Sequence, residues 1–188
     1  FGLHEIPHLF AQLTTVFVYL IIVNAYNFID GLDGLAISFA IFSILGFEYI
    51  NESSSLTLLN TICMGGIIPL YYFNFKKRKK IFLGDAGSLF LGSLIALNLF
   101  HYLDSSQNVM NGNRVLLSVS VLFYPLFDLL RVFIIRIRQN KSPFIADKKH
   151  IHHLILDITN RHDYSTIIIL FINVLLFLTV LTINNYAD

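Results

Sequence analysis

The sequence predicts an all-α fold: a polytopic transmembrane helical bundle of about six spans, forming a single domain over residues 1–188. Three observations carry this expectation. Of the 188 residues 55% are hydrophobic and only 13% are charged, where a soluble domain carries about 25% charged residues; the mean hydropathy is +0.68. The apolar residues fall into six runs of roughly the 17–25 residues that a spanning helix needs, without the period-two alternation of membrane strands. The cations are confined almost entirely to alternate connections.

The first run is 9–25, followed by a polar connection at 27–34 and a second run at 35–50. After a connection at 51–55 comes the third run, 56–75, then a basic connection at 76–87 and the fourth run, 88–103. A connection at 104–114 leads to the fifth run, 115–135, and the long connection 136–166 to the sixth, 167–183. The second and fourth runs are short and are expected to extend into their flanks.

Each crossing changes side, so the first, third and fifth connections share one face. Lys76, Lys77, Arg78, Lys79, Lys80, Arg136, Arg138, Lys141, Lys148, Lys149 and Arg161 lie on that face and Arg131 near it, leaving only Arg114 of the thirteen Lys and Arg on the other. The positive-inside rule assigns the basic face to the cytoplasm. A net charge of +1 gives no support to nucleic-acid binding. The single cysteine, Cys63, excludes an intrachain disulfide and a cysteine metal site. The sequence opens at Phe1 without a basic n-region, so its first run does not read as a signal peptide.

Three polar clusters fall on the basic face. In Asn24-Ala-Tyr-Asn27-Phe-Ile-Asp30-Gly31-Leu-Asp33-Gly34, amides and carboxylates recur every third residue. That spacing puts neighbours on one helix face, and Gly31 and Gly34 are expected to loosen the helix there. A turn is the plain reading of Asp-Gly, but repeated polar groups beside hydrocarbon are costly and point to function. In Gly84-Asp85-Ala-Gly87-Ser88, a carboxylate framed by glycines opens the fourth helix. It suits magnesium, which takes one or two protein carboxylates and completes its shell with phosphates and water; capping by Asp85 or Ser88 is the structural alternative. The neighbouring Lys/Arg run also reads as a membrane-surface anchor.

The third cluster runs from Arg138 through Lys141, Asp147, Lys148 and Lys149 to His150, His152 and His153. Three histidines in four residues suit either zinc or hydrogen bonding to phosphate oxygens; the missing cysteines and helix-spaced pair favour phosphate. His4, His8, His101 and His162 are read as incidental. Carboxylates for a metal and cations for phosphates describe a phosphoryl-transfer site.

At these residues the sequence resembles the polyprenyl-phosphate N-acetylhexosamine-1-phosphate transferases, grouped as glycosyltransferase family 4. The segments 24–34, 82–88 and 142–153 are similar to three signature loops of that family, in order and on one side, and the likeness extends over essentially the whole chain. The resemblance implies transfer of a sugar-1-phosphate, GlcNAc-1-phosphate by the form of the histidine motif, from a UDP-sugar to undecaprenyl phosphate, with release of UMP. It implies Mg²⁺, with Mn²⁺ as the substitute, held by Asp85. It implies catalytic roles for Asp30, Asp33, Asp85 and His152. Substrate-binding roles fall to Asn27, Asn74, Arg138, His150 and His153, with Asn74 at the uridine end and Arg138 and the histidines at phosphates or sugar. The implied setting is the bacterial cytoplasmic membrane, with the site facing the cytoplasm. The family also carries an adjacent aspartate pair on an earlier helix, which nothing before Asn24 supplies. This chain is therefore expected to be the C-terminal part of a longer domain.

A transporter with an intramembrane ion relay is the alternative from another class. It predicts ionisable groups near the bilayer midplane and matching halves, whereas these groups cluster at helix ends. A structural membrane subunit would not need three polar clusters on one side. The sugar, the lipid length and the oligomeric state, a homodimer included, are left open.

Overall fold

The computed structural model describes residues 7–51, 54–76, 78–104, 111–142 and 150–187. Among these, every regular element is a helix: α1 (His8–Ile29), α2 (Leu35–Ile50), α3 (Thr57–Asn74), α4 (Gly84–Asp104), α5 (Asn111–Val121), α6 (Phe123–Arg138), α7 (Ile151–Thr159) and α8 (His162–Ala187). Each of the six apolar runs is helical. The short fourth run does extend into its flank, to Gly84, whereas the second keeps its bounds.

Two features depart from the sequence reading. The fifth run is not one rod: α5 and α6 meet at a 78° bend. Pro125 explains the break, since it has no N–H for the carbonyl of Val121 four residues back. Asn173 of α8 supplies the missing partners. Its Nδ2 donates to Ser120 O at 3.3 Å and Val121 O at 3.4 Å, and its Oδ1 accepts the Tyr124 N–H at 2.9 Å. Broken helices are tolerated at membrane depth only where such groups are satisfied again. The second departure is α7, a short helix inside what reads as a connection.

Of the six expected crossings, three or four have the length and apolarity of a membrane span. By length and apolarity α1, α4 and α8 qualify as membrane spans, and a fourth does if the bent α5–α6 pair counts as one. α2 is apolar but has 16 residues. α3 is diluted by Asn60, Pro69 and two glycines. Outward faces of α1 and α8, with Leu13, Phe17, Phe171 and Leu175 exposed, present the apolar surface expected of lipid-facing helices.

α1 packs chiefly on α4 and α6, α2 on α4, and α5 and α7 on α8. Gly92 makes the α1–α4 contact close: a Cβ there would stand 2.8 Å from the Val23 Cα. The core beneath the α1–α2 turn is Tyr26, Ile29, Leu32, Leu35, Phe39 and Ile95, all buried. Contacts between the first, third and fifth connections gather at one end of the bundle. At the other end a reciprocal amide pair, Asn60 and Asn98 at 2.7 and 3.0 Å, ties α3 to α4, and the Ser55 N–H meets His101 Nε2 at 3.3 Å.

Candidate functional site

The α1–α2 turn is the centre of the polar end. α1 stops at Ile29, with Asp30 as its C-cap residue. The regular spacing of Asn24, Asn27, Asp30 and Asp33 therefore does not continue along one helix face. Asn24 is exposed and bonds back to Leu20 O at 2.7 Å, whereas Asn27 reaches across to α4, its Nδ2 donating to Ser88 Oγ at 2.9 Å. Gly34 has φ +72°, a left-handed conformation that favours glycine, and the Phe75 ring fills the space a side chain would take.

Asn74 holds this turn to the third connection. Its Oδ1 accepts the Gly34 N–H at 2.6 Å and its Nδ2 donates to Ile81 O at 2.8 Å, so both ends of its amide are used within the protein. Asp33 is held from two sides. Lys80 Nζ lies 2.5 Å from its Oδ1. From α8, Thr166 Oγ1 donates to Asp33 O at 3.1 Å, and His162 Nδ1 accepts the Asp33 N–H at 3.4 Å while standing 3.5 Å from Asp33 Oδ2. His162 is thus part of the site, contrary to its reading as incidental.

Asp30 differs from Asp33. Partial burial, then the charge of Asp85, then that of Asp33, push its carboxyl up to about 7. Asp85 stands exposed in the first turn of α4, so the two signature loops face one another through their carboxylates. Surplus negative charge at this turn, carried by Asp30 and Asp85, is the kind of oxygen surrounding that a hard divalent cation favours. A cleft of about 110 Å³ opens beside it, lined by Asp30, Gly31, Leu32, Asp33, Asn74, Phe82 and Leu83. The Phe82 ring is exposed, and Lys80 Nζ lies 4.6 Å from its centroid.

The histidines close the site from the opposite flank. His152 is 1% exposed, and a Cβ on Gly31 would fall 2.5 Å from its Nε2. Its Nδ1 lies 3.4 Å from Tyr124 OH and 3.9 Å from Asp128 Oδ2. Burial, and then the neighbouring His153, hold its imidazole far down, at about 3, so it is neutral at physiological pH. His150 is buried too, its Nδ1 2.7 Å from Asp128 Oδ2 and its ring 5.7 Å from that of Phe28. His153 is half-buried, its ring centroid 4.4 Å from that of His152. Arg138 is exposed in the last turn of α6, whereas Arg136, two residues earlier, is buried. Pro143 to Lys149 of the histidine motif, and Lys77 of the basic run, lie outside the described residues.

Asp128 was missed by sequence reading. Its signal was present: a lone carboxylate within the apolar run 115–135, of the kind that hydrocarbon tolerates only for a reason. Among the described residues, Asp128, His150 and His152 form the one trio of His, Cys, Asp or Glu whose donor atoms all lie within 4.8 Å of one another.

Fold and site together define an integral membrane protein with a carboxylate and histidine site at one end of a helical bundle. A family model described as glycosyl transferase family 4 matches residues 1–102, more than half of the chain, and the chain belongs to that family. It is 34% identical over 177 residues to a decaprenyl-phosphate N-acetylglucosaminephosphotransferase of Mycobacterium leprae, covering 84% of this chain and 44% of the relative. It is 32% and 29% identical to undecaprenyl-phosphate alpha-N-acetylglucosaminyl 1-phosphate transferases of Yersinia pestis and Escherichia coli K12, covering 78% of this chain and 41% of each relative. The chain thus spans less than half the length of these relatives.

Proposed function

We propose that the protein transfers GlcNAc-1-phosphate from a UDP-sugar to a polyprenyl phosphate such as undecaprenyl phosphate, releasing UMP, and that this chain carries the donor side of the site. The observation that carries the reading is the convergence of Asp30, Asp33 and Asp85 with the histidine loop around one turn, beside a small cleft. The relatives' activities supply the chemistry, and this geometry suits it.

In this reading Mg²⁺ is held by Asp85 with Asp30 beside it, and when bound it supplies charge neutralisation for the diphosphate. Asp33, fixed by Lys80 and α8, shapes the floor of the cleft. Phe82 offers an exposed ring face on which a nucleobase stacks, a contact worth about 1–3 kcal/mol where it has been measured for bases. Asn74 acts by holding the Gly34 N–H and Ile81, so its contribution to the uridine end is the shape of the cleft. Asn27, bound to Ser88, fixes the distance between the two carboxylate loops. His153 and Arg138 serve the phosphates, and His150 serves a hydroxyl of the sugar. His152, neutral and packed on Gly31, acts by setting the height of the histidine loop above the turn. All the acidic and basic groups named here stand on the cytoplasmic side of a six-crossing bundle in the bacterial inner membrane, the arrangement that best uses the cation distribution.

The test is to incubate the purified full-length protein with undecaprenyl phosphate, Mg²⁺ and a panel of UDP-sugars. UMP release and a lipid-linked sugar phosphate, greatest with UDP-GlcNAc, are expected. Absence of UMP with every donor overturns the reading.

A further inference from the structure

Asp128 lies within α6 and has no exposed surface. A carboxylate in such a place is costly unless its oxygens are bonded. Both are. Oδ1 accepts the N–H of Ile151 at 2.7 Å, the first residue of α7, a helix whose own N-cap residue, His150, makes no side-chain capping bond. Oδ2 lies 2.7 Å from His150 Nδ1. One carboxylate on α6 therefore fastens both the start of α7 and the ring that precedes it.

We propose that Asp128 is the positioning residue of the histidine loop: it accepts a hydrogen bond from His150 Nδ1–H, fixes that tautomer, and leaves Nε2 as the atom that meets substrate. A neutral imidazole has one donor and one acceptor nitrogen, and the bond made by one decides the state of the other. The same device orients the histidine of hydrolase triads. The alternative use of these residues is a metal held by Asp128, His150 and His152. The spacing decides against it. Two ligand atoms each about 2.0–2.2 Å from a tetrahedral zinc stand roughly 3.4 Å apart, whereas His150 Nδ1 and Asp128 Oδ2 are at hydrogen-bonding distance, 2.7 Å. Only the identity of what Nε2 meets rests on the transferase reading; the tautomer is a property of the chain itself.

The experiment is ¹⁵N NMR of the full-length protein labelled at histidine, with the His150 signals assigned by their loss in His150→Gln. At neutral pH we expect Nδ1 protonated and Nε2 bare. In Asp128→Asn the amide oxygen still accepts the Ile151 N–H, but its NH₂ now donates to His150 Nδ1, so the tautomer inverts. Turnover then falls on the order of 10²–10⁴-fold, between the loss typical of an outer-shell partner and that of a triad aspartate. In a His150→Gln background Asp128→Asn adds no further loss. A wild-type His150 protonated at Nε2, normal turnover in Asp128→Asn, or stoichiometric zinc that copurifies with wild type and is absent from Asp128→Asn each overturns the proposal. If Asp128→Asn does not fold, the wild-type spectrum and metal content still decide. If no UDP-sugar is used, the transferase reading fails while the tautomer remains measured.

Discussion

The contact between Gly31 and His152 can be tested by adding one methyl group. Gly31→Ala places a Cβ 2.5 Å from His152 Nε2, 3.3 Å from Cδ2 and 3.4 Å from Cε1, where ordinary contact begins at 3.4 Å. Gly31 lies outside the left-handed region, so alanine meets no backbone strain and the cost is steric. The ring has to retreat by about 1 Å, and it is not a free surface side chain: it is buried against Tyr124 and Asp128. Overpacking of this kind costs about 1–3 kcal/mol, a fall in unfolding midpoint on the order of several degrees. Thermal unfolding of the full-length protein in detergent reads it. His152→Ala removes the obstacle, so the cost of Gly31→Ala should vanish in that background, a coupling of the size seen between touching residues. Gly34→Ala is the control. Its loss comes from φ +72° and the Phe75 ring, and His152→Ala should leave it unchanged. A Gly31→Ala variant as stable as wild type, or equally destabilised with and without the His152 ring, refutes the contact.

Three further outcomes are expected. Asn173→Leu leaves the Tyr124 N–H and the Val121 carbonyl without their partners at the α5–α6 bend; at about 1–3 kcal/mol for an unsatisfied buried group, it should lower the unfolding midpoint, and an unchanged midpoint would show that the bend does not depend on α8. In a Cys63→Ala background, Ser55→Cys and Asp104→Cys should react with an impermeant thiol reagent from outside intact cells, whereas Lys79→Cys and Arg161→Cys should not; labelling of all four from one side removes the six-crossing topology. Asp30 binds its proton more tightly folded, up to about 7, than as an ordinary carboxylate. The stability this gives is therefore complete below the ordinary carboxylate range and lost as pH rises through about 7. In metal-free protein, Asp30→Asn should flatten the decline of midpoint between roughly pH 4 and 7, and a variant with the wild-type slope shows that another group titrates there.

The helices and the three loops were legible because hydrophobic run length and dense polar clusters are local signals. The bend at Leu122 had a local signal as well, Pro125, but its stabilisation depends on Asn173, about fifty residues further on. α7 was hidden inside a basic connection because its apolar residues occupy barely two turns. The number of crossings was less legible than the number of runs: α2 and α3 are apolar segments whose length and polar content leave them short of the criterion that α1, α4 and α8 meet. His162 and Asp128 were not recognised as site residues because each stands alone in sequence. Only tertiary packing brings one to Asp33 and the other to His150.

The two aspartates of the first loop show why neighbouring identical residues are not interchangeable here. Asp33 has a lysine 2.5 Å away and a carbonyl and N–H bound to α8, so its charge is matched and its position set by two distant segments. Asp30, three residues earlier, ends a helix, is partly buried, and faces the charges of Asp85 and Asp33, which raise its carboxyl further. A matched carboxylate gains little from a cation and serves as framework; an unmatched one is relieved by the cation and competes for it with a proton. The same division runs through the histidines. His152 packs against Gly31, whereas His150 Nδ1 lies 2.7 Å from Asp128 Oδ2, which on the proposed reading leaves its other nitrogen to the substrate. Changes at Asp33 or His152 are therefore expected to disturb the shape of the cleft, and changes at Asp30 or His150 its reactivity.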